Sequence, residues 1–277
     1  ADASRIKTAI YMNANDLDGA LKSAGEEETY RSSILGHVDP FAVIRFAEVL
    51  ISRKEIDTAV KRLNEALAVS ENIGSIPAQE ACLKKLLVAT ATQPEKFPRV
   101  ATYARTRLAQ VILAQIDRQM AVSGYQDEAK LEEAEVLLRE DITAPTSPEV
   151  EVADYYATRA KIAVRREDFP AAVRNLRQAD SFDSSNPAHR VGCAIFGLAS
   201  GDVGLFESER VELLKRLSAG VSDEHLFEVC CALLLRPSVN AGQLAQIRAR
   251  IESYTGDYLD SDRREFLNSF LEFREGG

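Results

Sequence analysis

Tryptophan is absent from the 277 residues, methionine occurs twice, histidine three times and cysteine four times. Each shortage removes a class of function. His37, His189 and His225 lie far apart, and none has a cysteine or carboxylate at metal-ligand spacing, so no short-spaced zinc site is encoded. Cys82, Cys193, Cys230 and Cys231 form no Cys-x-x-Cys pair and sit in apolar runs, where a thiol behaves as a small hydrophobe. Adjacent Cys230 and Cys231 point about 100° apart on a helix and are poor disulfide mates. A reducing compartment, the cytoplasm, is therefore expected. The opening at Ala1 without methionine reads as processing or truncation, and a processed exported form stays open. No apolar stretch approaches the ~18 residues of a membrane span. Gly-rich phosphate loops, a Gly-x-Ser-x-Gly elbow and a His-Glu-x-x-His pair are also missing. No cofactor, no metal and no membrane insertion are expected, and an enzyme is disfavoured.

Charge of one sign is scarce too. Lysine and arginine total 34 against 43 acids, for a net charge of −9. Nucleic acid needs a basic stripe, and Lys84-Lys85, Arg165-Arg166 and Arg263-Arg264 all sit beside acids as solvated helix faces, so no nucleic-acid partner is expected. Sustained two-residue alternation of β-branched residues is missing as well, which removes strands.

What is present is helical punctuation. Asp39-Pro40, Ser147-Pro148 and Asn186-Pro187 each place a capping residue before a first-turn proline, and Ser222-Asp223-Glu224 opens a further run with acids at the positive helix end. The pattern predicts fourteen helices, over 3–13, 16–25, 40–52, 55–71, 77–92, 98–122, 126–141, 148–165, 168–181, 187–199, 203–218, 223–235, 241–254 and 261–273. Two zones are irregular: 26–38, with Glu26-Glu27-Glu28, reads as a further turn of helix or a loop, and 72–98 holds one helix too many for simple pairs. Short connections imply antiparallel neighbours.

A phrase recurs within this pattern: a polar turn, a bulky apolar residue, then a small residue. It reads Asn15-Asp16-Leu17-Asp18-Gly19-Ala20, Lys54-Glu55-Ile56-Asp57-Thr58-Ala59, Glu167-Asp168-Phe169-Pro170-Ala171-Ala172 and, more loosely, Gly201-Asp202-Val203-Gly204-Leu205-Phe206 and Leu131-Glu132-Glu133-Ala134. Residues 20 and 59 are 39 apart, 134 and 172 are 38 apart, and 172 and 206 are 34 apart. Periods of roughly 20–50 residues signal a repeat architecture, because one helix pair cannot bury its apolar face alone. Gly192, Gly197, Gly201 and Gly204 fit close helix packing better than a nucleotide cradle.

These residues resemble tetratricopeptide repeats. Segment 153–187 supplies Tyr156, Ala160, Phe169, Ala172, Leu176, Ala179 and Pro187, and segment 40–71 supplies Val43, Ala47, Leu50, Ile56, Ala59, Leu63 and Ala66. Tyr11, Leu17, Ala20 and Ala24 extend the match, and Ala194 with Gly201-Asp202 continues it, although Phe206 stands where alanine is usual. The resemblance implies one all-α domain over 1–277, with antiparallel hairpins stacked as a right-handed α-solenoid. Helix 261–273 would cap it, its apolar arc of Phe266, Leu267, Phe270, Leu271 and Phe273 turned to the last core layer; an irregular helical bundle is the competing reading.

The resemblance further implies a concave groove lined by first helices. Its residues would be Phe41, Ile44, Arg45, Glu48 and Ile51, then Asp154, Ala157, Lys161 and Arg165, then Val191, Ile195 and Leu198. Relatives that clamp the carboxylates of a chaperone C-terminal tail use Lys and Asn at matched positions; here Ile44 and Glu48, then Ala157 and Lys161, stand there, so no such tail is expected. The groove suits a peptide with apolar anchors and some acids. A non-enzymatic scaffold or adaptor in a larger complex is the first expectation. A ligand- or peptide-responsive sensor of a bacterial regulator, suggested by 66–74 running into 77–92, is the second, and a helical-repeat enzyme the third.

Overall fold

A computed structural model describes residues 2–139, 148–236, 240–256 and 258–275. Among them every regular element is helical. The chain divides into two compact units, 1–147 and 148–277.

The first unit holds α1 (Asp2–Asn13), α2 (Leu17–Leu35), α3 (Pro40–Ser52), α4 (Ile56–Asn72), α5 (Ile76–Ala91), α6 (Pro98–Ser123) and α7 (Glu128–Leu137). Each packs on its neighbours in sequence, and α3 also packs on α5. The second unit holds α8 (Glu149–Arg165), α9 (Phe169–Phe182), α10 (Ala188–Ala199), α11 (Val203–Ala219), a 3-10 turn at 223–225, then α12 (Leu226–Leu234), α13 (Ala241–Ser253) and α14 (Ser261–Glu275). Here α8 to α11 pack in succession, whereas α12 meets α10, α11 and α14, and α13 meets α11 and α14.

The local reason for the hairpins is one turn used five times. At its centre a single residue takes a left-handed conformation: Asn15 (φ 57°), Lys54 (64°), Gly74 (65°), Glu167 (57°) and Gly201 (81°). The next amide reaches back five residues, from Asp16 to Tyr11, Glu55 to Leu50, Ser75 to Ser70, Asp168 to Ala163 and Asp202 to Gly197, always at 2.9 Å. This is the six-to-one bond of a Schellman motif, which satisfies a carbonyl orphaned at the helix end. The same residue then starts the following helix. The Asp16, Asp168 and Asp202 carboxylates each accept from the amide three residues on, at 2.9 Å. Ending one helix and capping the next on adjacent residues fixes the angle between them.

Small residues then let the helices close. Ala20, Ala24, Ala47, Ala59, Ala66, Ala160, Ala172, Ala179 and Ala194 are all buried, with Leu50, Leu63 and Leu176 filling the space between ridges. Glycine extends the close approach in α10. A Cβ on Gly192 would come within 2.6 Å of Leu176, and one on Gly197 within 2.8 Å of Leu205.

The differences from expectation have local causes. Helix 16–25 continues unbroken to Leu35 and stops at left-handed Gly36, because Glu27 inside the acidic run is neutralised by Arg31 and Arg45. Asp39 and Asn186 do cap, accepting from the amides of Phe41 and Ala188 at 3.0 Å. The expected helix 223–235 begins as the 3-10 turn. Residues 140–141 and Ser147 lie outside the described residues. In α14 the leucines do the capping: Leu267 and Leu271 are fully buried, whereas Phe266 and Phe273 stay exposed.

The turn supplies a matched pair of tests. Glu167→Gly should raise stability by up to about 1 kcal/mol, since a side chain at positive φ is strained. Gly201→Ala, the same position in another turn, should lower it by about 1 kcal/mol. Urea midpoints of both variants check the pair.

Candidate interaction surface

The face expected from sequence divides between the two units. On α3, Phe41 stands 41 % exposed, while Ile44 is buried and offers a ligand little surface. Arg45 is committed inward: its Nε donates to Glu27 at 3.0 Å and an Nη donates to the other carboxylate oxygen of Glu27, whose side chain is fully buried. Glu48 holds Lys85 of α5 at 2.6 Å, and Ile51 is half-buried. On α8, Asp154 and Lys161 are exposed, and Ala157 and Arg165 half-buried. On α10, Ile195 is 38 % exposed, Val191 is buried and Leu198 packs partly against the core. Phe41 in the first unit, and Asp154, Lys161 and Ile195 in the second, are therefore the expected residues most available to a partner.

Sequence reasoning missed a second constellation, on α9, α10 and α11. Five charges alternate there. Arg177 contacts one oxygen of Glu209 at 3.2 Å and Arg190 the other at 2.9 Å; Arg190 also holds Asp180 at 2.7 Å, and Arg216 holds the second Asp180 oxygen at 3.0 Å. Arg177, Asp180, Arg190 and Glu209 border a cleft of about 380 Å³ that also includes Ser181 and Cys193. No sequence motif marks the set, because its partners lie 10 to 36 residues apart. Arg216 and Glu209 occupy positions two helical turns apart on α11, the only trace a helical reading could use.

Desolvation is the largest influence on the four cysteines and on His189. Burial pushes the Cys82 and Cys231 thiols up to about 11 and those of Cys193 and Cys230 up to about 12. All four are protonated at neutral pH and poor nucleophiles. His189 is depressed below its ordinary value mainly by desolvation, opposed by Asp183, Asp180 and Asp154 and aided by Arg216. Among the described residues no group of three or more His, Cys, Asp or Glu is placed to hold a metal ion, and no helix is long and apolar enough to cross a membrane.

Among the described residues the fold is all-helical, and its recurring turn and small-residue crossings resemble those expected of tetratricopeptide repeats. Two solved structures are similar to it over nearly their full lengths. One is a tetratricopeptide repeat protein from Parabacteroides merdae, 9 % identical, covering 99 % of this chain and 98 % of its own, with a TM-score of 0.38. The other is the TPR2AB domain of yeast Sti1 in complex with pHSP90, 13 % identical, covering 100 % and 98 %, with a TM-score of 0.24. Superpositions this loose add nothing to the hairpin geometry. No family model and no curated protein matches the chain.

Two outcomes follow for the second unit. Arg190→Leu strips Asp180 and Glu209 of a shared partner and should cost about 3–5 kcal/mol, whereas removing mostly exposed Arg177 should cost about 0–1 kcal/mol. Paired urea titrations measure both. His189 has the opposite linkage to a paired histidine: its folded value lies below the unfolded 6.5. Its contribution is thus present above about pH 6.5 and lost as pH falls through the lower folded value. The thermal midpoint should drop between pH 7.5 and 5.5, and His189→Gln should flatten that step.

Proposed function

We propose that this protein is a non-enzymatic interaction scaffold that binds partner polypeptides through exposed residues of its first helices. The observation that carries this reading is the exposure of Phe41 and Ile195 on α3 and α10, helices whose other apolar residues are mostly buried. Large apolar side chains left in solvent beside charged residues are typical anchors for a docked peptide. Lys161, exposed on α8, complements an acidic residue in such a segment. The partner is an extended or helical peptide with apolar anchors and some acids.

The sensor reading gains nothing from the charged cleft, because each carboxylate oxygen of Asp180 and Glu209 already meets an arginine. Chaperone-tail capture has no support either: Ile44, one of the matched positions, is buried, and Glu48 is an acid held by Lys85.

The test substitutes exposed residues only. Arg45 is unsuitable, since a change there orphans buried Glu27. Phe41→Ser with Lys161→Glu should leave the thermal midpoint within about 1 °C and abolish the partners that co-purify with wild type in quantitative mass spectrometry. Retention of every partner by this folded variant would remove both residues from consideration.

A further inference from the structure

Two ion pairs fix the relative heights of three helices in the first unit. Glu48 of α3 meets Lys85 of α5 at 2.6 Å, and Lys84 of α5 meets Glu133 of α7 at 3.1 Å. Consecutive helices fold back on each other, so α3, α5 and α7 run in one direction. Residues three or four positions beyond these pairs lie on the same helix faces, one turn further along. They are Ile51, Val88 and Val136, and they share a level.

All three are apolar where water is within reach. Val88 and Val136 are each 52 % exposed, and Ile51 is half-buried. Valine is a poorer helix former than lysine, glutamate or glutamine, and an exposed position gives it no packing in return. One such residue on a surface is ordinary. A row across three helices, directly above a row of ion pairs, is a patch.

The row also coincides with helix ends. Ile51, Val88 and Val136 occupy the last turns of α3, α5 and α7, and none of these turns carries a basic residue. Helix C-termini bear partial negative charge, so three of them meet at this level without a cation in their own last turns. Arg53, next after α3, is engaged by Asp18 and Glu55. On α7, Glu128, Glu132, Glu133 and Glu135 outnumber Lys130, with Arg139 beyond its end.

We propose that this row receives a polyproline-II segment of a partner protein, apolar at every third residue and carrying lysine or arginine between the apolar positions. Spacing selects the conformation. Packed helices stand about 8–10 Å apart, and α3 packs directly on α5. Polyproline II rises about 3.1 Å per residue with three residues per turn, so every third side chain returns to one face after about 9.3 Å. A β-strand returns to one face after about 6.6–6.8 Å, too short for the row. A crossing helix, about 10–12 Å wide, would cover the ion pairs one turn below and desolvate charges that are 37 to 46 % exposed. The helix ends and the α7 acids select the cations. This inference rests on the reading that exposed residues of the first helices meet polypeptides, and it reverses, for the first unit, the charge that suits Lys161 in the second.

A defined probe tests it: a fluorescein-labelled peptide of three Leu-Pro-Lys repeats, titrated with the full chain and read by anisotropy. Saturable binding is expected. Val88→Gln with Val136→Gln should weaken it about tenfold, the loss of two partly buried valine contacts, without moving the thermal midpoint. Three Leu-Pro-Glu repeats keep the spacing and reverse the charge; Leu-Leu-Leu-Pro-Lys-Pro-Lys-Pro-Lys keeps the composition and loses the spacing. Each should bind about tenfold more weakly than the probe. Phe41→Ser with Lys161→Glu should bind the probe like wild type, so a failed probe and unchanged co-purifying partners in that variant are separate results. Absence of saturable binding, equal binding of the three peptides, or indifference to the two glutamines overturns the proposal. So does tighter binding of a helical peptide with leucines seven apart, or a wild-type dimer that Val88→Gln dissociates, because the row would then serve a helix or a second copy.

Discussion

One backbone hydrogen bond, repeated five times, organises this protein. An amide reaching back to the carbonyl five residues earlier can form only if the residue between the helices turns left-handed. The geometry is strong enough to hold Lys54 and Glu167 there, where a Cβ is unfavourable. Once the bond closes, the exit of one helix and the entry of the next are no longer independent. The alanines then bring the helix axes together, and the leucines fill what remains. Hairpin geometry comes first, and the apolar core conforms to it.

Charge plays a secondary, pairing role. Glu27 with Arg31 and Arg45 joins α2 to α3, and the five-membered chain from Arg177 to Arg216 joins α9, α10 and α11. Buried ions of this kind add little net stability over apolar packing, yet removing one partner strands the other. Near the end of the second unit arginine closes helices directly: Arg274 donates to the carbonyls of Leu234 and Leu235 at the end of α12, and Arg264 to those of Ile251 and Tyr254 at the end of α13. Phe227, Phe266 and Phe270 cluster beside them, with Arg263 stacked over Phe227.

The helices were legible in the sequence because their signals are local. Asp39 before Pro40 and the alanines around 20, 59 and 172 act within a few residues, and they placed the hairpins correctly. The turn phrase was visible too, although its left-handed residue was not: asparagine, lysine, glutamate and glycine share no chemistry, only a backbone conformation. What escaped was whatever depends on distant partners. Glu27 stood in an acidic run that read as a further turn of helix or a loop, and only Arg45, 18 residues on, makes it a buried lock. Ile44 and Val191 belong to the expected groove by helical phase, but both are buried. The α9–α11 charge chain left only the two-turn spacing of Glu209 and Arg216 in the sequence.

The reused turn is most directly tested by native-state amide hydrogen exchange, resolved residue by residue by NMR. The amides of Asp16, Glu55, Ser75, Asp168 and Asp202 lie between helices, where a loop amide would exchange freely. The six-to-one bond predicts protection for all five comparable to that of the flanking helical amides. Exchange at unstructured rates at these positions, with the helices themselves protected, would contradict the account.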